Sequence, residues 1–352
     1  MGDTKQSTRQ SFFLEAVPPF RLDLTVWTLR RRPENAMDRW DDQTYRRVLR
    51  LTGVPTEVAV RQVGPADHPR LRVTIPGQPL NRSTQQAATI ALEQLLGLNV
   101  DLTDFYRLAS QDVILGALVR RFRGMKPPRF DTVFECLINA VACQQVSLTV
   151  GILLLNRLAE SLGPSAKNNP LAHTLPTCED LAAADPKSIQ ALGFSRRKAE
   201  YIVELARTTG AAKFDPHRLA ALSNDEVAAQ LTALRGIGRW SAEYALLRGL
   251  GRLDVFPADD VGAGNNLRRW LGLSKSLDYL GVRRKLARWS PYAGLVYFHL
   301  LLDGIANAGH VAESPPARSV RGQKRSVVAK YASAKNAQVI KGPKKPDVGR
   351  KT

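Results

Sequence analysis

Cysteine is nearly absent, with Cys136, Cys143 and Cys178 the only three among 352 residues. The number is odd and no Cys-x-x-Cys spacing occurs. Neither a disulfide framework nor a four-cysteine zinc or iron–sulfur site can be built from this chain, and a reducing, cytoplasmic setting is the expectation, at the nucleoid or in a nucleus according to source. Also missing is any run of about 18 apolar residues, so no transmembrane helix is expected. The leading MGDTKQSTRQ has no apolar signal core, and Gln6 stands where a myristoylation signal after Gly2 needs Ser or Thr, so no lipid anchor is expected either. Acidic residues run short, 32 against 51 Lys and Arg, for a formal net charge of +19. Each phosphate neutralised by a cation releases condensed counterions, so this surplus points to nucleic acid as partner.

The surplus is unevenly placed. From Val311 to Thr352 eleven Lys or Arg face only Glu313 and Asp347, a net of +9 that leaves +10 on the rest. Residues 313–352 carry few large apolar side chains and cannot offset their ordering entropy, which predicts a disordered basic tail that tethers the protein to DNA non-specifically. Residues 1–11 are expected to be a short disordered tail. Between the tails two characters follow one another. RLDLTVW (Arg21 to Trp27), TEVAVRQ (Thr56 to Gln62) and RLRVTI (Arg70 to Ile75) alternate apolar and polar residues, the period of strands with one buried face. QQAATIALEQLL (Gln85 to Leu96) puts Ala88, Ile90, Leu92, Leu95 and Leu96 in a helix-forming run. Residues 12–107 therefore read as an α+β domain with an antiparallel sheet plus helices.

From Leu108 strand signals vanish, and segments such as Phe134 to Gly163, Ser188 to Gly210, Leu222 to Leu234 and Pro291 to Gly309 read as helices. Residues 108–312 are expected to form a mainly α, all-helical core. Its most informative stretch is LRGIGRWSAEYALL (Leu234 to Leu247), where Gly236-Ile237-Gly238 breaks two helical patterns with a tight hairpin. Glycines on either side of Ile237 let backbone amides approach a phosphate, and the next helix N-terminus adds its positive dipole end. An ordinary helix-helix turn would look the same. What distinguishes this one is a carboxylate supplied downstream: Asp260 follows Gly238 by twenty-two residues, inside VFPADDVGAGNN (Val255 to Asn266), near the start of another helix.

Hairpin, intervening helix and aspartate resemble the helix-hairpin-helix DNA glycosylases, specifically the AlkA-type 3-methyladenine DNA glycosylases. The resemblance covers nearly the whole ordered chain, with the helix-hairpin-helix at 229–248. It implies an N-terminal domain like one half of a TATA-binding protein, then helical subdomains flanking a DNA cleft. It also implies that Asp260, three residues before Ala263, is the catalytic carboxylate, while Asp259 is free to cap the helix. The role needs negative charge beside C1′ of an oxocarbenium-like transition state, and a helix N-terminus, whose dipole favours that charge, suits it.

Members that cleave the strand place a lysine nucleophile directly after the hairpin, where this chain has Trp240. An indole cannot attack C1′, so attack by water and an intact abasic product are expected. Trp240 and Tyr244, one turn apart on one face, would line the base pocket, where an alkylated purine bearing positive charge gains cation–π attraction. Leu301 stands where the family can carry a second pocket tryptophan, and His299 on the same run is either a pocket or a core residue.

Gln144, Gln145 and Ser147 occupy the family's DNA-facing motif, and Gln145 falls where some members have an apolar wedge. Arg235, Gly236, Ile237, Gly238 and Arg239 are the expected backbone-binding set, with Arg248, Arg268 and Arg269 as further phosphate contacts. No metal ligand set is present, and the only cofactor the resemblance allows is a monovalent cation at the hairpin carbonyls. The expected substrate is double-stranded DNA containing damaged bases, handled by a monomer. Two alternatives stay open: a glycosylase of the same fold for deaminated or oxidised bases, and a non-catalytic lesion-binding protein, against which Asp260 argues.

Overall fold

A computed structural model describes residues 11–77, 80–209 and 216–312. The basic tail expected at 313–352 and residues 1–10 lie outside them, whereas Ser11 opens the first strand. Five strands, β1 (Ser11–Glu15), β2 (Arg39–Asp41), β3 (Thr44–Leu51), β4 (Val54–Gln62) and β5 (Arg70–Thr74), make one sheet in the order β1-β5-β4-β3-β2. All neighbours are antiparallel. Alternation sorts their side chains: Phe12, Leu14, Leu71, Val73, Val58, Val60, Tyr45 and Leu49 face a core, while Phe13, Arg61, Arg70 and Arg72 face outward. The α+β reading of this region therefore holds.

The core is closed by α1 (Leu22–Arg30) and α2 (Arg82–Leu96). Asn81 caps α2 by accepting from the Thr84 N–H at 2.8 Å, and Ala88, Leu92, Leu95 and Leu96 turn inward while Ile90 is exposed. The strand expected at Arg21 to Trp27 is a helix instead, and the reason is burial on two sides. Leu22, Val26 and Leu29 enter the sheet core, whereas Leu24 and Trp27 enter a second core formed by the helices that follow. A helix apolar on both flanks shows no single 3.6-residue stripe, and its sequence mimics alternation.

The second core is built from α3 (Thr103–Ser110), α4 (Val113–Arg121), α5 (Val133–Cys143), α6 (Leu148–Leu162), α7 (Cys178–Ala183), α8 (Pro186–Ala191), α9 (Arg196–Thr209), α10 (Pro216–Ala220), α11 (Asn224–Thr232), α12 (Arg239–Arg248), α13 (Val261–Trp270), α14 (Tyr279–Leu286) and α15 (Ala293–Asn307). Two corrections to the expected layout follow. The boundary at 107/108 would cut α3, whose buried Phe105 and Ala109 belong wholly to the helical core. That core is also not all-helical: β6 (Ser165–Ala166) and β7 (Asn169–His173) form a small hairpin. Asn168 at its tip accepts from the Glu57 N–H at 2.8 Å and donates to the Glu57 and Pro76 carbonyls at 3.1 and 2.9 Å, which docks the hairpin onto the sheet.

A buried ionic knot joins the two regions. Arg47 on β3 reaches Asp38 at 2.7 Å and Glu135 on α5 at 2.6 Å, and the Tyr45 hydroxyl donates to Asp38 at 2.7 Å. Burial works against the Asp38 carboxylate, yet Arg47 and Tyr45 hold its pKa below the usual range; burial wins at Glu135 and pushes it up. Among the described residues no helix is long and apolar enough to cross a membrane.

Candidate active site

The hairpin runs between α11 and α12. Ser223 and Glu226 close a reciprocal capping box at the start of α11, and the Ile237 N–H bonds back to the Leu234 carbonyl at 3.1 Å. Gly236 is left-handed, with φ of +87°, and an added Cβ there would lie 2.5 Å from the Tyr201 ring. Both constraints demand glycine. Gly236→Ala is expected to lower unfolding free energy by about 1–3 kcal/mol and to weaken affinity for duplex DNA; unchanged melting and affinity would show that the hairpin tolerates strain.

The side chain of Ile237 is 4% exposed and packs in the helical core. Its side chain therefore anchors the hairpin, while the backbone of residues 236–238 is the part expected to approach DNA. Gly238 is exposed and N-caps α12 without any side-chain hydrogen bond to the first turn, so no capping side chain takes up those amides. Gln144, at the end of α5, donates from Nε2 to the Gly236 carbonyl at 2.8 Å and to Ser241 Oγ at 3.1 Å. It therefore braces the hairpin rather than standing free.

The run read as continuous helix from Phe134 breaks after Cys143, and Gln145 takes φ of +54° in an exposed turn. Ser147 then caps α6, its Oγ accepting from the Val150 N–H at 3.3 Å. Arg235 and Arg239 are exposed beside the hairpin. Arg235 pairs with Glu204 at 2.9 Å, and Arg239 grips Asp259 at 2.6 and 3.1 Å while lying over the Tyr279 ring at 3.8 Å. Arg248 is corrected: it is fully buried, donates to the Thr28 carbonyl at 3.0 Å and meets no solvent. On α13, Arg269 is exposed and Arg268 half-buried.

Asp260 is itself the N-cap of α13, its Oδ1 accepting from the Ala263 N–H at 2.8 Å. The cap expected of Asp259 thus falls to its neighbour, since Asp259 is exposed and held by Arg239. The other oxygen, Oδ2, accepts from Trp240 Nε1 at 3.3 Å and from the Tyr297 hydroxyl at 3.4 Å. Burial, then Asp260 and Tyr244, push the Tyr297 phenol well above its ordinary range, so it stands as a neutral donor. Trp240 is half-buried, and its ring centre lies 5.6 Å from that of Tyr244, which is buried. The hydroxyl of Tyr244 accepts from Arg31 at 2.9 Å.

Tyr297 and Arg31 were not singled out in the sequence. The signal for Tyr297 was a phenol in the apolar run of α15, where a buried hydroxyl must find a partner. Arg31 lay in LRRRP with nothing to separate it from its neighbours. Leu301, half-buried, sits one turn beyond Tyr297 on the same helix face.

His299 belongs to the core. Its Nδ1 is 2.7 Å from the Leu295 carbonyl and its ring stacks obliquely on Phe105. Burial lowers its pKa from 6.5 to about 4. The folded state binds this proton less readily than the unfolded chain, so the penalty is absent above pH 6.5 and grows as pH falls, to on the order of 3 kcal/mol by pH 4. His299→Leu should flatten the fall of the urea midpoint between pH 7 and pH 5; parallel curves for the two proteins would refute this. Among the described residues no group of three His, Cys, Asp or Glu side chains is placed to hold a metal.

Two helices joined by a pinned glycine hairpin, with an aspartate heading a third helix beside them, define a helix-hairpin-helix protein with a single acidic centre. Residues 138–291 match the family model described as HhH-GPD superfamily base excision DNA repair protein. The DNA-3-methyladenine glycosylase of Bacillus subtilis is 25% identical over 228 residues, 64% of this chain and 75% of its own. DNA-3-methyladenine glycosylase 2 of Escherichia coli is 31% identical over 188 residues, 53% of this chain and 63% of its own. Among solved structures, the 3-methyladenine DNA glycosylase of Archaeoglobus fulgidus superposes with a TM-score of 0.72 at 26% identity, covering 83% of this chain and 97% of its own. The middle of the chain is thus similar to the helix-hairpin-helix superfamily of base excision DNA repair proteins, and the three relatives named here are 3-methyladenine DNA glycosylases.

Proposed function

We propose that this chain binds duplex DNA, turns an alkylated purine of the 3-methyladenine or 7-methylguanine type out of the helix, and hydrolyses its N-glycosidic bond to leave an abasic site. The observation that carries the reading is the Asp260 carboxylate, fixed by Ala263, Trp240 and Tyr297 next to the hairpin that ends at Gly238. As the base departs, positive charge grows at C1′, and a fixed carboxylate beside it stabilises that charge without reorganisation. Trp240, in the position after the hairpin, offers a stacking face and no amine, so water attacks and the strand stays intact.

The uncapped amides of α12 and the exposed Arg235 and Arg239 take the phosphates. Exposed ion pairs contribute little, so both arginines exchange their carboxylate partners for DNA readily. Gln145, in its exposed turn, fills the gap left by the flipped nucleotide. A monovalent cation at the hairpin would use the second lone pairs of the Leu234 and Gly236 carbonyls, which already accept from Ile237 and Gln144. A single chain supplies every group named.

The test is release of 3-methyladenine and 7-methylguanine from alkylated duplex DNA, together with borohydride treatment during turnover. Base release without a trapped protein–DNA adduct is expected. A trapped adduct would reveal an amine nucleophile and end the water mechanism; absence of release with intact DNA binding would end the alkylpurine assignment.

A further inference from the structure

We propose that Arg31 is a specificity-determining residue of the base pocket, one that favours neutral purine lesions bearing an acceptor at their edge over cationic methylated purines. The proposal rests on the reading of the site given above. Arg31 is the C-cap of α1 and comes from the sheet region, not from the helical core that carries Asp260. Its backbone is left-handed, with φ of +62°, a strained state for a side-chain-bearing residue. Arg31 is 4% exposed; its guanidinium donates to the Tyr244 hydroxyl at 2.9 Å and to Asn139 Oδ1 at 3.1 Å, and leaves Nε without a partner. It also opposes the upward push that burial gives the Cys143 thiol, on the last turn of α5. Among the described residues it forms no ion pair.

A second buried guanidinium, Arg248, lies 5.7 Å from the centre of the Tyr244 ring and also lacks an ion pair among the described residues. Tyr244 thus has a permanent cation at its hydroxyl and another near its ring. Burying an unpaired guanidinium in a strained backbone is unfavourable, and apolar side chains pack such sites better. What Arg31 supplies is charge at the pocket. Because the Tyr244 oxygen accepts from Arg31, its own proton is left to donate to an acceptor.

The chemistry separates two kinds of lesion. In both, the C1′–N9 bond breaks with its electron pair on the base, and the oxygen of water bonds to C1′. A 7-methylguanine leaves as a neutral molecule and gains nothing from a nearby cation, which instead repels it in the ground state. A neutral base such as hypoxanthine leaves with negative charge spread onto its ring nitrogens and O6, and the proton released by the attacking water finally neutralises it. Donors at the Arg31–Tyr244 edge stabilise that developing anion.

The experiment uses the full chain with duplexes carrying hypoxanthine or 7-methylguanine, each rate divided by spontaneous loss. Wild type should accelerate hypoxanthine release roughly 10-fold more than 7-methylguanine release, and Arg31→Gln should erase that ratio, the span expected for a hydrogen bond to a charged group. Arg31→Lys should keep part of it. A structural role would lower both rates together and leave the ratio unmoved, which overturns the proposal while the reading of function stands. Equal acceleration of the two bases by wild type overturns it without any variant. Acceleration of neither overturns both.

Discussion

Asp260→Asn should lower single-turnover base release by at least about 10²-fold, the size of an effect from removing one preorganised charge-stabilising group, while duplex binding and melting hardly move. The separation works because asparagine caps a helix as well as aspartate does. The Ala263 N–H keeps its acceptor in the amide oxygen, while the amide nitrogen takes the place of Oδ2, so the negative charge is lost together with the acceptor that faced Trp240 and Tyr297. Asp259→Asn is the matched control. Its partner Arg239 is 57% exposed along its side chain, and exposed pairs contribute roughly 0–1 kcal/mol, so release should change by only a few-fold. If Asp259→Asn abolishes release and Asp260→Asn does not, the roles of the two neighbours are reversed.

Arg47→Met should cost about 3–5 kcal/mol of stability, because it strands Asp38 and Glu135 in a dry interface. All three groups are almost wholly buried, and the Asp38 side chain is 3% exposed. Adding Asp38→Asn and Glu135→Gln to Arg47→Met removes the stranded charges and should recover much of the loss. Chemical unfolding of the single and triple variants makes the comparison. A loss below about 1 kcal/mol in Arg47→Met would show that water reaches the knot and that it does not lock sheet to helices.

Much of the architecture was legible because its signals are local. Alternation marked β4 and β5, the glycine pair marked the hairpin, and the spacing from Gly238 to Asp260 brought out the acidic centre. The elements that escaped are governed by what packs around them. Helix α1 was misread because two cores bury both its flanks, and no window of sequence reports a second core. The hairpin β6-β7 was missed because its seven strand residues hold to the sheet region through Lys167, Asn168 and Asn169, which answer groups of Pro55, Glu57 and Pro76 far away in sequence. Arg248 looked like a phosphate ligand by its nearness to the hairpin, but α12 rotates it inward to Thr28. Tyr297 entered the site from the last helix, where only the three-dimensional meeting with Asp260 distinguishes it from core.

The way α1 is shared has a consequence for how the molecule comes apart. Leu22, Val26 and Leu29 on one side and Leu24 and Trp27 on the other make each core a wall of its neighbour. Neither region can melt alone without exposing the other's apolar surface, so heat or urea should disassemble residues 11–312 in one cooperative step. The sheet region is therefore no detachable appendage: a chain trimmed to its hairpin-bearing helices would open its own interior to water.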